Sequence, residues 1–231
     1  MQHVYRYDRE WLVRPETNDV PIIIESFMHQ MYNLKTLPKK PINTIVDIGG
    51  HIGSYSVHLA QTFPEATIYI YEPMAENYMM LLENIRGLRI NPMNAAVYGA
   101  QKPSTTIHKY PLDRSGNPNT GASILQYDDK EGEFQTISIK QLQEDVGDID
   151  LLKLDCEGGE YSILPEMDFS KVGYVMIEFH TDINGYKFPD DDFPNALSLF
   201  FKNNFKMVWY DFCVYGVPQA HFINEKYWET R

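Results

Sequence analysis

The run Ile45-Val46-Asp47-Ile48-Gly49-Gly50-His51-Ile52-Gly53 constrains this chain more than any other feature. An apolar strand that ends in a glycine turn and runs into an amphipathic helical segment is the opening of a parallel α/β sheet. A second apolar run, closing as Ile70-Tyr71-Glu72-Pro73, places an acid at the next strand end. In such sheets ligands lie across the carboxyl ends of the strands. The glycine spacing narrows the choice of ligand. His51 stands where a dinucleotide fingerprint needs its second glycine, the one that lets backbone approach a pyrophosphate. The turn therefore argues against NAD or FAD and suits a ligand without phosphate.

The rest of the chain continues the alternation. Helical spacing is expected from Val20 to Leu34, Gly53 to Thr62, Met74 to Arg86 and Phe193 to Asn203. Strands are expected at Thr44–Ile48, Thr67–Tyr71, Arg89–Val97 with a break at Pro92, Ile149–Leu154, Val172–Phe179, Lys206–Val214 and about Gln219–Ile223. This reads as one domain over 1–231, with an N-terminal helical segment over 1–40 and an inserted β or loop region over 98–135. The expected sheet is mostly parallel with a final antiparallel strand and helices on both faces.

The 231 residues carry a formal net charge of −12, which disfavours nucleic acid as a partner. The two cysteines are far apart and form no disulfide framework, so a reducing cytoplasmic setting is the default expectation. No membrane-length apolar run is seen, and no membrane association is expected.

S-adenosylmethionine is the leading candidate for the ligand. Gly49, Gly50 and Gly53 shape the turn for its methionine portion. Asp47 either accepts from the ligand ammonium or braces the turn. Glu72 is placed to take both ribose hydroxyls, and Pro73 redirects the chain after it. At the third strand end the small residues Ala95 and Ala96 leave room for a flat adenine, and Asn94 either supplies hydrogen bonds near it or satisfies backbone in the turn. Further on, Lys153-Leu154-Asp155-Cys156-Glu157-Gly158-Gly159-Glu160 clusters carboxylates beyond a buried strand, and such a cluster needs a cation, a proton or donors. Glu160 is read either as part of that rim or as a helix cap. Cys156 reads as a small buried residue. Glu178 and His180, two apart at a further strand end, join Asp155 as candidate catalytic residues. Their ligand types are also compatible with a metal, but the spacing is loose and no metal is expected.

These blocks resemble the FkbM family of S-adenosylmethionine-dependent methyltransferases. The resemblance rests on residues 46–56, on Tyr71-Glu72-Pro73, on Asn94-Ala95-Ala96-Val97, on the acidic block from Lys153 to Glu160, and on Glu178-Phe179-His180. It covers about Asn43 to His180, and the acidic block is its most specific part. It implies a Rossmann-like class I methyltransferase sheet, cofactor contacts by Asp47, Gly49, Gly53 and Glu72, and Asp155 bordering the transfer site. It also implies O-methylation of a sugar or natural-product hydroxyl, with N-methylation in some relatives. His51 departs from an Asn frequent at that position. The N-terminal portion and residues 98–135 depart most from the shared pattern, so the small-molecule or glycan acceptor is not carried over. An NAD-dependent oxidoreductase and a non-catalytic binding protein are the rival readings.

Overall fold

A computed structural model of the chain describes residues 3–6, 9–27, 32–99, 108–109, 122–123, 135–183, 186–212 and 216–229. Seven strands form the main sheet. They are β1 (Thr44–Ile48), β2 (Thr67–Tyr71), β3 (Ile90–Met93), β4 (Leu151–Leu154), β5 (Tyr174–Glu178), β6 (Phe205–Phe212) and β7 (Pro218–Asn224). Their spatial order is β6-β7-β5-β4-β1-β2-β3. The pairings from β3 across to β5 are all parallel. β7 runs against both of its neighbours, β5 and β6. The mostly parallel sheet with a reversed last strand is thus the arrangement expected from the sequence.

Helices cover both faces because the central strands are apolar on both faces. These helices are α1 (Asp19–Phe27), α2 (Ser54–Thr62), α3 (Ala75–Asn84), α4 (Ile139–Val146), α5 (Glu160–Ile163), α6 (Asp192–Lys202) and α7 (Glu225–Glu229). On one face Val46, Ile48, Leu152 and Leu154 pack with Ile139 and Leu142 of α4, Ile163 of α5 and Phe200 of α6. On the other face Ile45 and Leu151 pack with Tyr55, Val57 and Leu59 of α2, Leu81 of α3 and Trp228 of α7. The strand period of two divides each strand between the two cores. Ser138 starts α4 by accepting from the Gln141 amide at 3.2 Å.

The N-terminal region differs from the helical segment expected over 1–40. An antiparallel hairpin, His3–Arg6 with Glu10–Val13, precedes α1. The described part of α1 reaches Phe27, and a 3-10 turn follows at Leu34–Thr36. Asn84 ties the hairpin to the sheet. Its Oδ1 accepts from the Leu12 amide at 2.7 Å, while its Nδ2 donates to the carbonyls of Leu12 at 3.1 Å and Ile52 at 3.0 Å. Asn84→Ala would leave buried backbone groups unpaired, and we expect a loss of about 2 kcal/mol. Thermal melting should show Tm lower by about 4–8 °C.

The third expected strand is two strands. Pro92 sits within β3, where the sheet edge tolerates a residue without an amide proton. Ala95–Tyr98 then leaves the main sheet and pairs in parallel with Gln135–Ser138. Of the inserted region, His108–Lys109 pairs antiparallel with Ala122–Ser123. Most of residues 98–135, including the run 105–107, lies outside the described residues.

Candidate active site

Register brings the site together. Ile48 lies opposite Leu154 on one side and Tyr71 on the other. The residues that follow these three, Gly49, Asp155 and Glu72, therefore leave the sheet side by side. Gly49 has φ +86°, and a Cβ there would lie 1.7 Å from the Asp155 carbonyl oxygen. Only glycine permits that approach of the turn to the end of β4. The amides of Gly49 and Gly50 both donate to the Tyr71 carbonyl at 3.0 Å, so the turn is also fixed to β2. Gly50 lies against the Ile70 side chain, and Gly53 leads into α2.

Strand parity places Asp47 and Lys153 on one face, and register sets them opposite each other. Lys153 Nζ donates to Asp47 Oδ1 at 3.0 Å and to the Gly49 carbonyl at 2.9 Å, and lies 3.4 Å from Asp155 Oδ2. Ser56 donates to the other Asp47 oxygen at 2.7 Å. Of the two roles open to Asp47, the structure shows the brace. Burial opposes the charge on Lys153, but Asp47 and Asp155 outweigh it and raise its pKa above the usual ammonium value.

Glu72 is buried at the end of β2. Its Oε2 accepts from the His51 amide at 2.8 Å. Its Oε1 accepts from the Met74 amide at 2.9 Å and from Asn77 Nδ2 at 3.2 Å. Burial pushes its pKa up to about 7, although all three donors favour the ionised form. His51 adopts φ +50° in this turn, and burial lowers its pKa to about 4, so its ring is neutral at neutral pH. Asn94 spends its amide on the carbonyls of Glu72 at 2.9 Å and Pro73 at 3.1 Å, which holds the bend after β2. Ala95 is buried beside it.

The acidic rim closes around His180. Its Nδ1 and its backbone amide both meet Glu160 Oε1 at 2.8 Å. The other Glu160 oxygen accepts from the Gly158 amide at 2.9 Å and from the Cys156 thiol at 3.5 Å. Glu160, fully buried, is thus more than a helix cap: it orients the imidazole. His180 Nε2 then faces Glu157 at 3.5 Å, Glu178 at 3.7 Å and Asp155 at 4.0 Å. Burial works against the imidazolium, but Glu160 and Glu157 outweigh it and hold the pKa well above the usual histidine value. Glu178 accepts from Gln219 Nε2 on β7, and burial, aided by Asp155, pushes its pKa up to about 8. The Asp155 side chain keeps 20% of its surface exposed. Burial raises the Cys156 thiol pKa well above its ordinary value, which matches a thiol held inert.

The structure therefore brings together Asp155, Glu178 and His180, and beside them Gly49 and Glu72. It adds Lys153, Glu160, Gln219 and Tyr32, which were not among the candidate site residues. A lysine inside Leu151-Leu152-Lys153-Leu154 was the available signal for the first, since a buried ammonium needs a partner. Tyr32 carried no periodic signal. It is fully buried, packs edge-on to Tyr55 at 5.0 Å between centroids, and lies with its ring 5.8 Å from Lys153 Nζ.

Comparison with known proteins agrees with this layout. The methyltransferase FkbM domain matches residues 47–207. Methyltransferase 1 of Beauveria bassiana is 24% identical over 173 residues, covering 62% of this chain and 65% of that protein. The AMB antimetabolite synthetase AmbE of Pseudomonas aeruginosa is 22% identical over 201 residues, covering 70% of this chain and 9% of that protein. The chain thus spans less than two thirds of the length of these relatives. The Methanococcus jannaschii fibrillarin pre-rRNA processing protein shares the fold, with a TM-score of 0.51 at 15% identity over 96% of this chain and 82% of that one. The family match runs from the acid of the first strand through the whole acidic rim, and the chain belongs to the family of the methyltransferase FkbM domain.

Proposed function

We propose that this chain methylates a hydroxyl oxygen of a sugar or natural product, and that Asp155 receives the proton of that hydroxyl. The observation that carries the reading is the meeting of Gly49, Glu72 and a partly exposed Asp155 at one sheet edge. S-adenosylmethionine fits the residues present. Among the described residues Glu72 Oε2 has one donor, and a carboxylate oxygen accepts more than one. The rim of Asp155, Glu157 and Glu178 suits a positively charged ligand. When bound, the cofactor supplies an electrophilic methyl group on sulfur.

The chain's own residues do the rest. Glu72 holds the ribose hydroxyls, and the turn around Gly49 positions the amino-acid end. Lys153 Nζ lies 3.4 Å from Asp155 Oδ2. His180, whose imidazole Glu160 orients through Nδ1, directs Nε2 toward the rim where the acceptor oxygen would lie. Positioning of this kind supplies much of a transfer rate. The AmbE similarity supports a natural-product acceptor, since that protein is described as an antimetabolite synthetase. The net charge of −12 supports an acceptor other than nucleic acid.

Incubation with methyl-labelled S-adenosylmethionine and panels of glycans, hydroxylated metabolites and peptides tests the reading. Label on an oxygen, located by mass spectrometry, is the expected result; label on nitrogen alone would overturn O-methylation. A second test concerns Glu72. Glu72→Gln should weaken S-adenosylhomocysteine binding about tenfold in calorimetry, the loss of a charge-assisted bond. Because the Glu72 pKa stands near 7, wild-type affinity should rise between pH 6 and pH 8 as the carboxylate ionises. The Gln variant should lack that rise.

No helix among the described residues is long and apolar enough to cross a membrane.

A further inference from the structure

We propose that Asp155, Glu178 and His180 form a divalent-cation site that holds the acceptor oxygen; the proposal rests on the methyl-transfer reading above. One ligand atom from each residue lies within 4.8 Å of the others. Nε2 of His180 is 3.7 Å from Glu178 Oε2 and 4.0 Å from Asp155 Oδ1. Ligands on a common ion with bonds of about 2.1 Å lie roughly 3–4 Å apart, so small rotations complete the set.

The surroundings support the ligands from behind. Glu160 fixes the imidazole through Nδ1, which directs Nε2 at the two carboxylates. A carboxylate behind a histidine is the usual outer support of a metal-bound imidazole. Gln219 similarly fixes Glu178 through Oε1 and leaves Oε2 toward His180.

Tyr32 points independently to a missing ligand. Its side chain is fully buried, yet its hydroxyl makes no hydrogen bond with the described residues. Asp155 and Glu178 are the charges that act on it most strongly, and Asp155 is near enough to accept from it. A buried hydroxyl without a well-formed hydrogen bond beside two carboxylates marks a place for another polar group. Water or an acceptor oxygen on the cation would meet it.

Charge gives the same answer. Asp47, Asp155, Glu157, Glu160 and Glu178 are five carboxylates, facing Lys153 and His180. An imidazole that ligates through Nε2 while donating from Nδ1 is neutral, so the formal excess is four negative charges. S-adenosylmethionine brings a net single positive charge and a divalent ion two more, which leaves one. Two carboxylates with one imidazole suit manganese or iron better than magnesium. Asp155 Oδ1 would bind the ion, and Oδ2, on the Lys153 side, remains to take the hydroxyl proton.

The test uses the full chain stripped of metal and titrated with Mn²⁺ alone, followed by electron paramagnetic resonance, with S-adenosylhomocysteine binding measured in parallel. One saturable site is expected, with affinity lowered at least about tenfold in both Glu178→Gln and His180→Gln. S-adenosylhomocysteine affinity in those variants should stay within about threefold, which also shows that they fold. On the wild-type chain, pulsed spectra should show one coordinated histidine nitrogen, a readout that needs no variant. Absence of saturable Mn²⁺ binding, absence of the nitrogen coupling, or unchanged affinity in both variants would overturn the site. Mn²⁺ failure with intact S-adenosylhomocysteine binding removes the cation alone. Mn²⁺ binding with no S-adenosylhomocysteine binding removes the transfer reading and keeps the cation site.

Discussion

Asp155→Ala is expected to lower kcat at least about 100-fold, the range set by loss of a positioned proton acceptor, with S-adenosylhomocysteine affinity changed by less than about threefold. The reasons are geometric. Asp155 follows β4 at the level of the glycine turn, and its side chain keeps contact with solvent while Lys153, Glu178 and His180 are buried. Its backbone, rather than its carboxylate, holds the turn: its amide donates to the Ile48 carbonyl at 3.1 Å. The substitution keeps that bond. Lys153 also keeps Asp47 and the Gly49 carbonyl. Truncation therefore removes a reacting group and little support. Single-turnover rates with labelled cofactor separate this from product release. Turnover at the wild-type level would take Asp155 out of the chemistry.

Lys153→Met is expected to act in the opposite place, on the fold. The ammonium is nearly sealed, and so is Asp47. Removing one partner of a buried pair leaves the other charge without compensation and costs about 3–5 kcal/mol. Asp47 would keep only the Ser56 hydroxyl at 2.7 Å, and the Gly49 carbonyl would lose its donor at 2.9 Å. The melting temperature should fall by about 6–20 °C. Combining the change with Asp47→Asn should recover part of the loss, because a neutral amide is cheaper to bury than a carboxylate. If the single variant melts as the wild type does, the pair is not the brace described here.

The two predictions divide the acidic residues by what surrounds them. Asp47 and Glu160 are spent on internal partners. Asp155 and Glu178 meet at His180 Nε2. Their order along the chain does not reveal this division. All of them sit at strand ends or turns; the sequence grouped Asp155, Glu160 and Glu178 around one rim and left Asp47 as either a ligand contact or a brace. Glu160 shows the difficulty most clearly. Its position after Gly158-Gly159 suited a helix cap, and it does accept from the Gly158 amide. Its other oxygen reaches His180, twenty residues onward, and that contact depends on β4 and β5 being neighbours.

Asn94 and the N-terminal region show the same limit. For Asn94 both an adenine contact and a backbone role were open, and its amide meets the backbone of residues 72 and 73. Helical spacing over 1–40 was legible only where apolar residues recur, in α1, and the hairpin before it was missed. Trp11 and Val13 pack in the core of the α2 face although no turn signal marked their strand.

Local order followed from the sequence alone: apolar runs of strand length, the glycine turn after Ile48, the acid after Tyr71 and the amphipathic segments between them. Those features depend on near neighbours, on side-chain period and on backbone sterics, and a single chain displays them. Tertiary structure decided which charges meet. Asp47 and Lys153 stand 106 residues apart, and only the register between β1 and β4 sets them face to face. Parallel register is fixed by packing two apolar faces against helices at once, a condition on the whole fold that no local segment carries.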